Sequence, residues 1–439
     1  MADDFNVPSY LSNILHILQQ NNHHACVVGG AVRDMIMGRE PHDYDVVTSA
    51  EVEEILQVFD KALPIGDKHG TVVVFMDGRQ VEISRCKSSS GQKYNWPAWL
   101  IEDLYHRDFT INAIAVAEDG SLFDPFGGLN DIENTSLRSP EDQSGQRFQE
   151  DPLRMLRAVR LCTVLNFQAS PIILEAISEY GALLSNVSRE RIRDELVKIL
   201  LSEQPGQGVM MLVETGLMQY IMPEVLPMVA FEQHNPHHLE DVFSHSLKVL
   251  DNVPARLPLR LAAMFHDIAK PETFSRDENG IGHYYQHDAI GGQIARAILE
   301  RLKFDRLTVE RVAVLIQEHM HRFAAPSRAA VKRLINRVGR ENVGDLFCLQ
   351  KADILGGAPP FELFGIEETE AIARQILVDQ EPLTVKDLVV NGYDLIQMGF
   401  NPGPKLGSIL QGLLEVVICE PEKNRKEILL GLAADWMHE

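Results

Sequence analysis

The chain has 439 residues and only five cysteines, Cys26, Cys86, Cys162, Cys348 and Cys419, none in C-x-x-C spacing. That scatter excludes a disulfide framework and a zinc ribbon, and predicts reduced thiols packed as small apolar groups. Positive charge is also scarce. Forty-one Lys and Arg stand against 63 Asp and Glu, a net charge of −22, which speaks against a generic nucleic-acid surface, although basic residues cluster locally at Arg154, Arg157 and Arg160, at Arg189, Arg191, Arg193 and Lys198, and at Arg328, Lys332, Arg333, Arg337 and Arg340. No apolar run is long enough to span a bilayer; Ile14-Leu15-His16-Ile17-Leu18 is too short, and the acidic opening Met1-Ala2-Asp3-Asp4 is unlike a signal peptide. These absences predict a cytoplasmic location and no membrane partner. Internal repeats and low-complexity tracts are missing as well, and no feature sets an oligomeric state.

Apolar residues are plentiful, at 45%, and the length suits two to four domains. Up to about residue 140, runs such as Thr71-Val72-Val73-Val74-Phe75 alternate with turn signals, Asp77-Gly78 among them, which predicts a mixed sheet with helices. From Glu150 onward apolar residues recur three or four apart, the helical period. The expected fold class is therefore α+β, with an α/β head followed by an elongated all-helical body. Polar, Pro- and Gly-rich stretches at 139–146, Asn235-Pro236 and 356–360 mark boundaries and predict domains at 1–140, 141–230, 231–358 and 359–439.

Val27-Val28-Gly29-Gly30-Ala31-Val32-Arg33-Asp34 followed by Asp43-Tyr44-Asp45-Val46-Val47 is the most informative stretch. Residues i and i+2 of a strand share a face, so Asp43 and Asp45 are expected to project together and share divalent cations. Gly29 and Gly30 let backbone approach a triphosphate whose charge Arg33 neutralises. A third carboxylate, Glu82, alternates with apolar neighbours as an inward-facing strand residue does. Three converging carboxylates repel one another unless metal binds, and oxygen donors suit Mg²⁺. Downstream, Arg107-Asp108-Phe109-Thr110-Ile111-Asn112 predicts a helix start where Asp108 and Asn112 hold a ribose. Glu150-Asp151-Pro152-Leu153-Arg154 predicts another, with Asp151 as N-cap and Pro152 in the first turn.

Taken in this order, these motifs resemble the class II tRNA nucleotidyltransferases, the bacterial CCA-adding enzyme and poly(A) polymerase family, within the polymerase β-like superfamily. Ser188-Arg189-Glu190-Arg191-Ile192-Arg193 is similar to the family's neck motif, and Pro402-Gly403-Pro404-Lys405 to the start of its tail helix. The resemblance implies template-independent addition of CCA to the tRNA 3′ end, with CTP and ATP as donors and the acceptor stem and elbow as the bound RNA. It implies catalysis by Asp43, Asp45 and Glu82, two Mg²⁺ ions held with Asp43 and Asp45, and nucleotide binding by Gly29, Gly30, Arg33, Arg107, Asp108, Asn112, Asp151, Arg154 and Arg157. Asp151 and Arg154 would pair with the base edge in place of a template.

The body carries His245, His266-Asp267 and Asp353, which resembles the H…HD…D quartet of HD-domain phosphohydrolases. That quartet implies a second site for Mg²⁺, Mn²⁺ or Ni²⁺ with phosphohydrolase activity, and His287, His319 and His321 are candidate accessory groups. Two departures from the family stand out. The segment from Cys86 to Trp99 is short and aromatic, as in CC-adding relatives, with Trp96 or Trp99 a candidate lever that stacks on a base; and His106 replaces the first arginine of R-R-D. CC addition alone and poly(A) synthesis are the competing enzymatic readings. An alarmone synthetase would have its HD domain first, and a non-catalytic RNA-binding protein would be expected to lose at least one of the three carboxylates.

Overall fold

A computed structural model describes residues 7–65, 70–86, 96–232, 240–278 and 281–436. They form two compact units, 1–199 with 211–221 and 200–210 with 222–439. The first unit is built on a seven-stranded mixed sheet of β1 (Ala25–Val28), β2 (Asp45–Thr48), β3 (Ala62–Ile65), β4 (Thr71–Met76), β5 (Arg79–Arg85), β6 (Ala115–Val116) and β7 (Leu122–Phe123). Its strand order is β3-β4-β5-β2-β1-β6-β7, with β2 and β5 the parallel pair. Asp77 and Gly78 join β4 to β5 with φ of 51° and 75°, the left-handed pair that a tight hairpin needs.

Strand alternation gives the sheet two cores. Val27, Val46, Val72, Val74 and Ile83 face Leu11, Ile14 and Leu18 of the helix Ser9–Gln20, while Cys26, Val28 and Val47 face Trp99, Leu100 and Leu104 of the helix Ala98–Tyr105. Three local expectations change here. Asp43 precedes β2 rather than lying within it, so strand periodicity does not align it with Asp45. Thr110–Asn112 is a single 3-10 turn leading into β6, because the buried run from Ile111 to Val116 is drawn into the sheet. The helix after Asp151 begins at Leu153, yet the Asp151 carboxylate still accepts from the Leu153 N–H at 3.2 Å, shifting the expected cap by one residue.

Beyond residue 150 helices dominate, apart from the short strands Gln168–Ala169, paired with Ser136–Leu137, and Phe274–Arg276, paired with Gly282–Tyr284. In the second unit the helices Val242–Asn252, Leu257–Phe265, Arg306–Glu318 and Val343–Gly356 pack around a shared interior, with His287–Arg301 along Arg306–Glu318. No helix among the described residues is long and apolar enough to cross a membrane.

Candidate active site

In the first unit β1 leads into Gly29, whose φ of 82° and ψ of −147° are strained for side-chain-bearing residues. A Cβ there would stand 2.9 Å from Arg107 Nη1 and 3.2 Å from Asp45 Oδ2. This bend opens a cavity of about 600 Å³. Asp45 and Glu82 are register partners on the parallel strands β2 and β5, so both carboxylates leave the same face. They line the cavity with Asp43, Gly29, Gly30, Arg33, Arg107, Asp108, Asn112, Arg154 and Arg157. Asp45 is open to the cavity, yet the protein crowded around it displaces water. That burial, with the charge of Asp43 nearby, raises its carboxyl above the ordinary range despite Arg107 and Arg157.

The arginines are positioned through carboxylates. Arg33 bonds Asp34 and donates to Asn112 Oδ1 at 2.7 Å; Asn112 donates to Asp108 Oδ1 at 3.0 Å; and Asp108 Oδ2 meets Arg157 Nη2 at 2.7 Å. A buried polar chain thus runs from the glycine turn to the helix Leu153–Leu165. Burial would raise the Asp108 carboxyl, but Arg157, Asn112 and Arg154 hold it below the ordinary range. Asp108 and Asn112 are 6% and 5% exposed, so the side chains expected to hold a ribose also spend bonds inside the cavity wall.

Asp151 is the one expected nucleotide-binding residue that does not line the cavity. Its Oδ2 accepts from Arg191 Nη2 at 2.8 Å, and Arg154 donates to Glu150 and to the His106 carbonyl. The His106 ring lies 3.1 Å from Arg147 Nη1 and 3.2 Å from Glu102, so this replacement still takes part in hydrogen bonding. Sequence reasoning missed fully buried Arg147, which packs on the Tyr105 ring and bonds Glu150, and it placed Arg160 only in a basic cluster, although Arg160 reaches the cavity wall. The spacing of Arg154, Arg157 and Arg160, three residues apart on one helix face, was the available signal.

Both indoles make packing contacts on the head. Trp99 is 4% exposed, Trp96 packs on His24 and Phe123, and Cys86 Sγ donates to the Trp99 carbonyl at 2.9 Å. The intervening residues 87–95, to which the short-segment reading mainly refers, lie outside the described residues.

In the second unit His245, His266, Asp267 and Asp353 meet. His245 Nε2 lies 2.9 Å from Asp353 Oδ1 and 3.8 Å from Asp267 Oδ2, which is 3.2 Å from His266 Nε2. His287 and His319 join Asp267, whereas His321 is half exposed and pairs with Glu318. Among the described residues, the sets of three donors that close to within 4.8 Å are His245–His266–Asp267 and Asp267–His287–His319, and the head carboxylates do not gather as tightly. Burial opposes charge on both acids, but His266 and Lys270 hold Asp267, and His245, His266 and Arg322 hold Asp353, well below the ordinary range. The cluster opens into a cavity of about 1180 Å³ lined by Lys270, Arg322, Tyr284, Tyr285 and Phe361.

Comparison with known proteins extends these observations along the chain. Residues 25–138 match the poly A polymerase head domain, 166–228 a probable RNA- and SrmB-binding site of polymerase A, 238–356 the HD domain and 359–433 a putative tRNA nucleotidyltransferase domain 2. The CCA-adding enzyme of Geobacillus stearothermophilus is 40% identical, covering 97% of this chain and 95% of its own. An A-adding tRNA nucleotidyltransferase of Deinococcus radiodurans is 32% identical, over 89% and 91%. The crystal structure of the Bacillus stearothermophilus CCA-adding enzyme in complex with CTP superposes with a TM-score of 0.76 at 27% identity, covering 98% of this chain and 97% of that one. With a glycine turn, paired strand carboxylates and an arginine-rich wall in one cavity, and with this end-to-end likeness, the chain belongs to the CCA-adding enzyme family of tRNA nucleotidyltransferases.

Proposed function

We propose that this protein completes tRNA 3′ ends by adding CCA without a nucleic-acid template, using CTP and ATP. The observation that carries this reading is the single cavity in which Asp45 and Glu82, register partners, face Arg154 and Arg157 across the Gly29 turn. The tRNA 3′-hydroxyl oxygen attacks the α-phosphorus, its proton leaves, and pyrophosphate departs. Gly29 admits the triphosphate close to the backbone, and Arg33 and Arg107 face its charge. Asp43, Asp45 and Glu82 form an all-oxygen donor set that fits Mg²⁺, which when bound would neutralise charge on the triphosphate and favour the hydroxyl's ionised form. Arg154 presents donors to the base, and Asp151 joins it on exchanging its Arg191 partner for an exocyclic amino group. The domains follow as head 1–140, neck 141–230, HD-type body 231–358 and RNA-binding tail 359–439.

Incubation with tRNA transcripts lacking all three terminal nucleotides, the last two or the last one, with CTP and ATP supplied separately, tests the reading. CTP should enter twice and ATP once. CTP entry that stops after the second C identifies a CC-adding enzyme. Entry of ATP alone, onto CC-ended tRNA only, identifies an A-adding one, as the relative in D. radiodurans is named.

The body supports a second reading, a metal-dependent phosphatase or 2′,3′-cyclic phosphodiesterase. The imidazole and carboxylate donors of His245, His266, Asp267 and Asp353 fit Mg²⁺, Mn²⁺ or Ni²⁺, which would activate water beside the wide cavity. Turnover of cyclic nucleotides with each metal tests it, and no turnover with any of them removes it.

A further inference from the structure

Arg147 is fully buried in the first unit, and its Nε and Nη2 have no hydrogen-bond partner among the described residues. A guanidinium taken out of water and left partly unbonded is costly, so its place in the fold calls for a reason beyond packing. Its hydrogen bonds run through Nη1, which donates to both oxygens of Glu150 at 2.9 Å and to His106 Nδ1 at 3.1 Å. The guanidinium carbon lies 4.4 Å from the centre of the Tyr105 ring.

Arginine can only donate, so His106 Nδ1 accepts, and the ring proton sits on Nε2, which faces Glu102 at 3.2 Å. The first arginine of R-R-D, which His106 replaces, has no acceptor to offer and would set one guanidinium against another. Histidine is therefore matched to Arg147 in a way that arginine is not.

The contacts close on Arg154. His106 caps the end of the helix Ala98–Tyr105, and its carbonyl, of the kind that a helix C-terminus leaves unbonded, accepts from Arg154 Nη2 at 3.2 Å. Glu150 Oε2 accepts from Arg154 Nη1 at 3.3 Å. Arg154, His106, Arg147 and Glu150 thus form a closed ring in which both prongs of the Arg154 fork are held. A guanidinium is planar and rigid, so holding two of its N–H groups aims the others, and Arg154 lines the cavity that contains Asp45 and Glu82.

We propose that His106 and Arg147 are positioning residues for base choice: the histidine accepts from the buried arginine, and together they hold Glu150 and the His106 carbonyl where they aim Arg154. This rests on the reading of Arg154 as the group that presents donors to the base, and extends it to the residues behind it. Without the ring, Arg147 and Glu150 can turn and the Arg154 fork loosens. A loosely aimed donor loses discrimination between bases, while the triphosphate contacts at Gly29, Arg33 and Arg107 stay as they are.

Initial rates of CTP and UTP incorporation onto tRNA lacking its end, with kcat and KM separated, test this on the full chain. His106→Ala should erode the preference for CTP over UTP about fivefold, with the CTP KM changed by less than about twofold. His106→Asn, whose Oδ1 stands close to where the ring holds Nδ1, should keep the preference within about twofold of the parent. Arg147→Met, similar in length but without donors, should act as His106→Ala does; if thermal melting shows that it does not fold, the two His106 variants decide. In an Arg154→Ala background His106→Ala should erode the preference no further, because both changes act through one guanidinium. An unchanged preference in His106→Ala, or the same further loss with and without Arg154, overturns the positioning role and leaves Arg154 as the reader of the base. A loss in His106→Asn as large as in His106→Ala also overturns it, since the acceptor is then not what matters. No loss in Arg154→Ala itself removes the reading of Arg154, and the positioning role with it.

Discussion

Single positions in the head carry unequal constraints, and the glycine pair shows this. Gly29 combines a backbone conformation that costs other residues about 1–3 kcal/mol with a Cβ position against Arg107 and Asp45. Gly30 opens the helix Gly30–Ile36, and a methyl there would come into ordinary van der Waals contact with the Arg33 guanidinium, at 3.4 Å. Gly29→Ala should lower CTP incorporation at least tenfold and Gly30→Ala less than threefold, measured as initial rates on tRNA lacking its end. Arg154 faces the cavity while Asp151 is engaged elsewhere, so Arg154→Ala should erode the preference for CTP over UTP by tenfold or more, with a smaller change in triphosphate affinity. Equal loss with both nucleotides would deny Arg154 a role in base choice. These residue types were legible in the sequence because the chemistry demands them. Their partners were not. The Arg191–Asp151 and Arg157–Asp108 pairs join residues far apart in the chain, and no local pattern encodes such meetings.

At the level of elements, the hairpin at Asp77-Gly78 and the change from strand to helix periodicity near residue 150 were readable because both are local. Parallel register between β2 and β5 was not, since it depends on the whole sheet, and it is this register that sets Asp45 beside Glu82. The polar chain from Arg33 to Arg157 links the glycine turn to a helix, and its energetics are testable. Asp108 is held below the ordinary carboxylate range, so its contribution to stability is complete above pH of about 4 and is lost as pH falls through the depressed value. Asp108→Asn leaves the partly exposed Arg157 without its counter-charge and, with solvent screening the exposed side of the pair, should cost about 1 kcal/mol at neutral pH. In urea denaturation the gap between this variant and the parent should narrow as the pH is taken well below 4; a gap independent of pH would show that the pair's charge is not what stabilises the link.

For the whole molecule, the basic cluster on the helix Arg328–Val338 is internally neutralised: Arg328 and Lys332 pair with Glu381, Arg333 with Glu415 and Arg337 with Glu318, while Arg340, just beyond it, pairs with Asp387. Its periodic arginines resembled a surface for RNA in the sequence, and the carboxylates that claim them come from other segments. Cysteine usage is uniform in a different way. Burial pushes Cys26, Cys86 and Cys162 up to about 12, whereas Cys419 is exposed and Cys348 partly so. At pH 8 a thiol-specific chromogenic reagent should therefore titrate Cys419 quickly, Cys348 slowly and the other three only after denaturation.

The clamp formed by Cys86, Trp96 and Trp99 has a consequence for how this protein can be altered. The Cys86–Trp99 bond and the Trp96 contacts with His24 and Phe123 hold the residues on either side of 87–95 in place. Lengthening a chain segment between two fixed ends costs chain entropy of about 0.6 kcal/mol for a doubling. Five Gly and Ser residues inserted between Ser89 and Ser90 should leave the melting temperature within about 2 °C of the parent and leave CTP addition unchanged. A change confined to the ATP step would then locate part of the choice of the final nucleotide between Cys86 and Trp96.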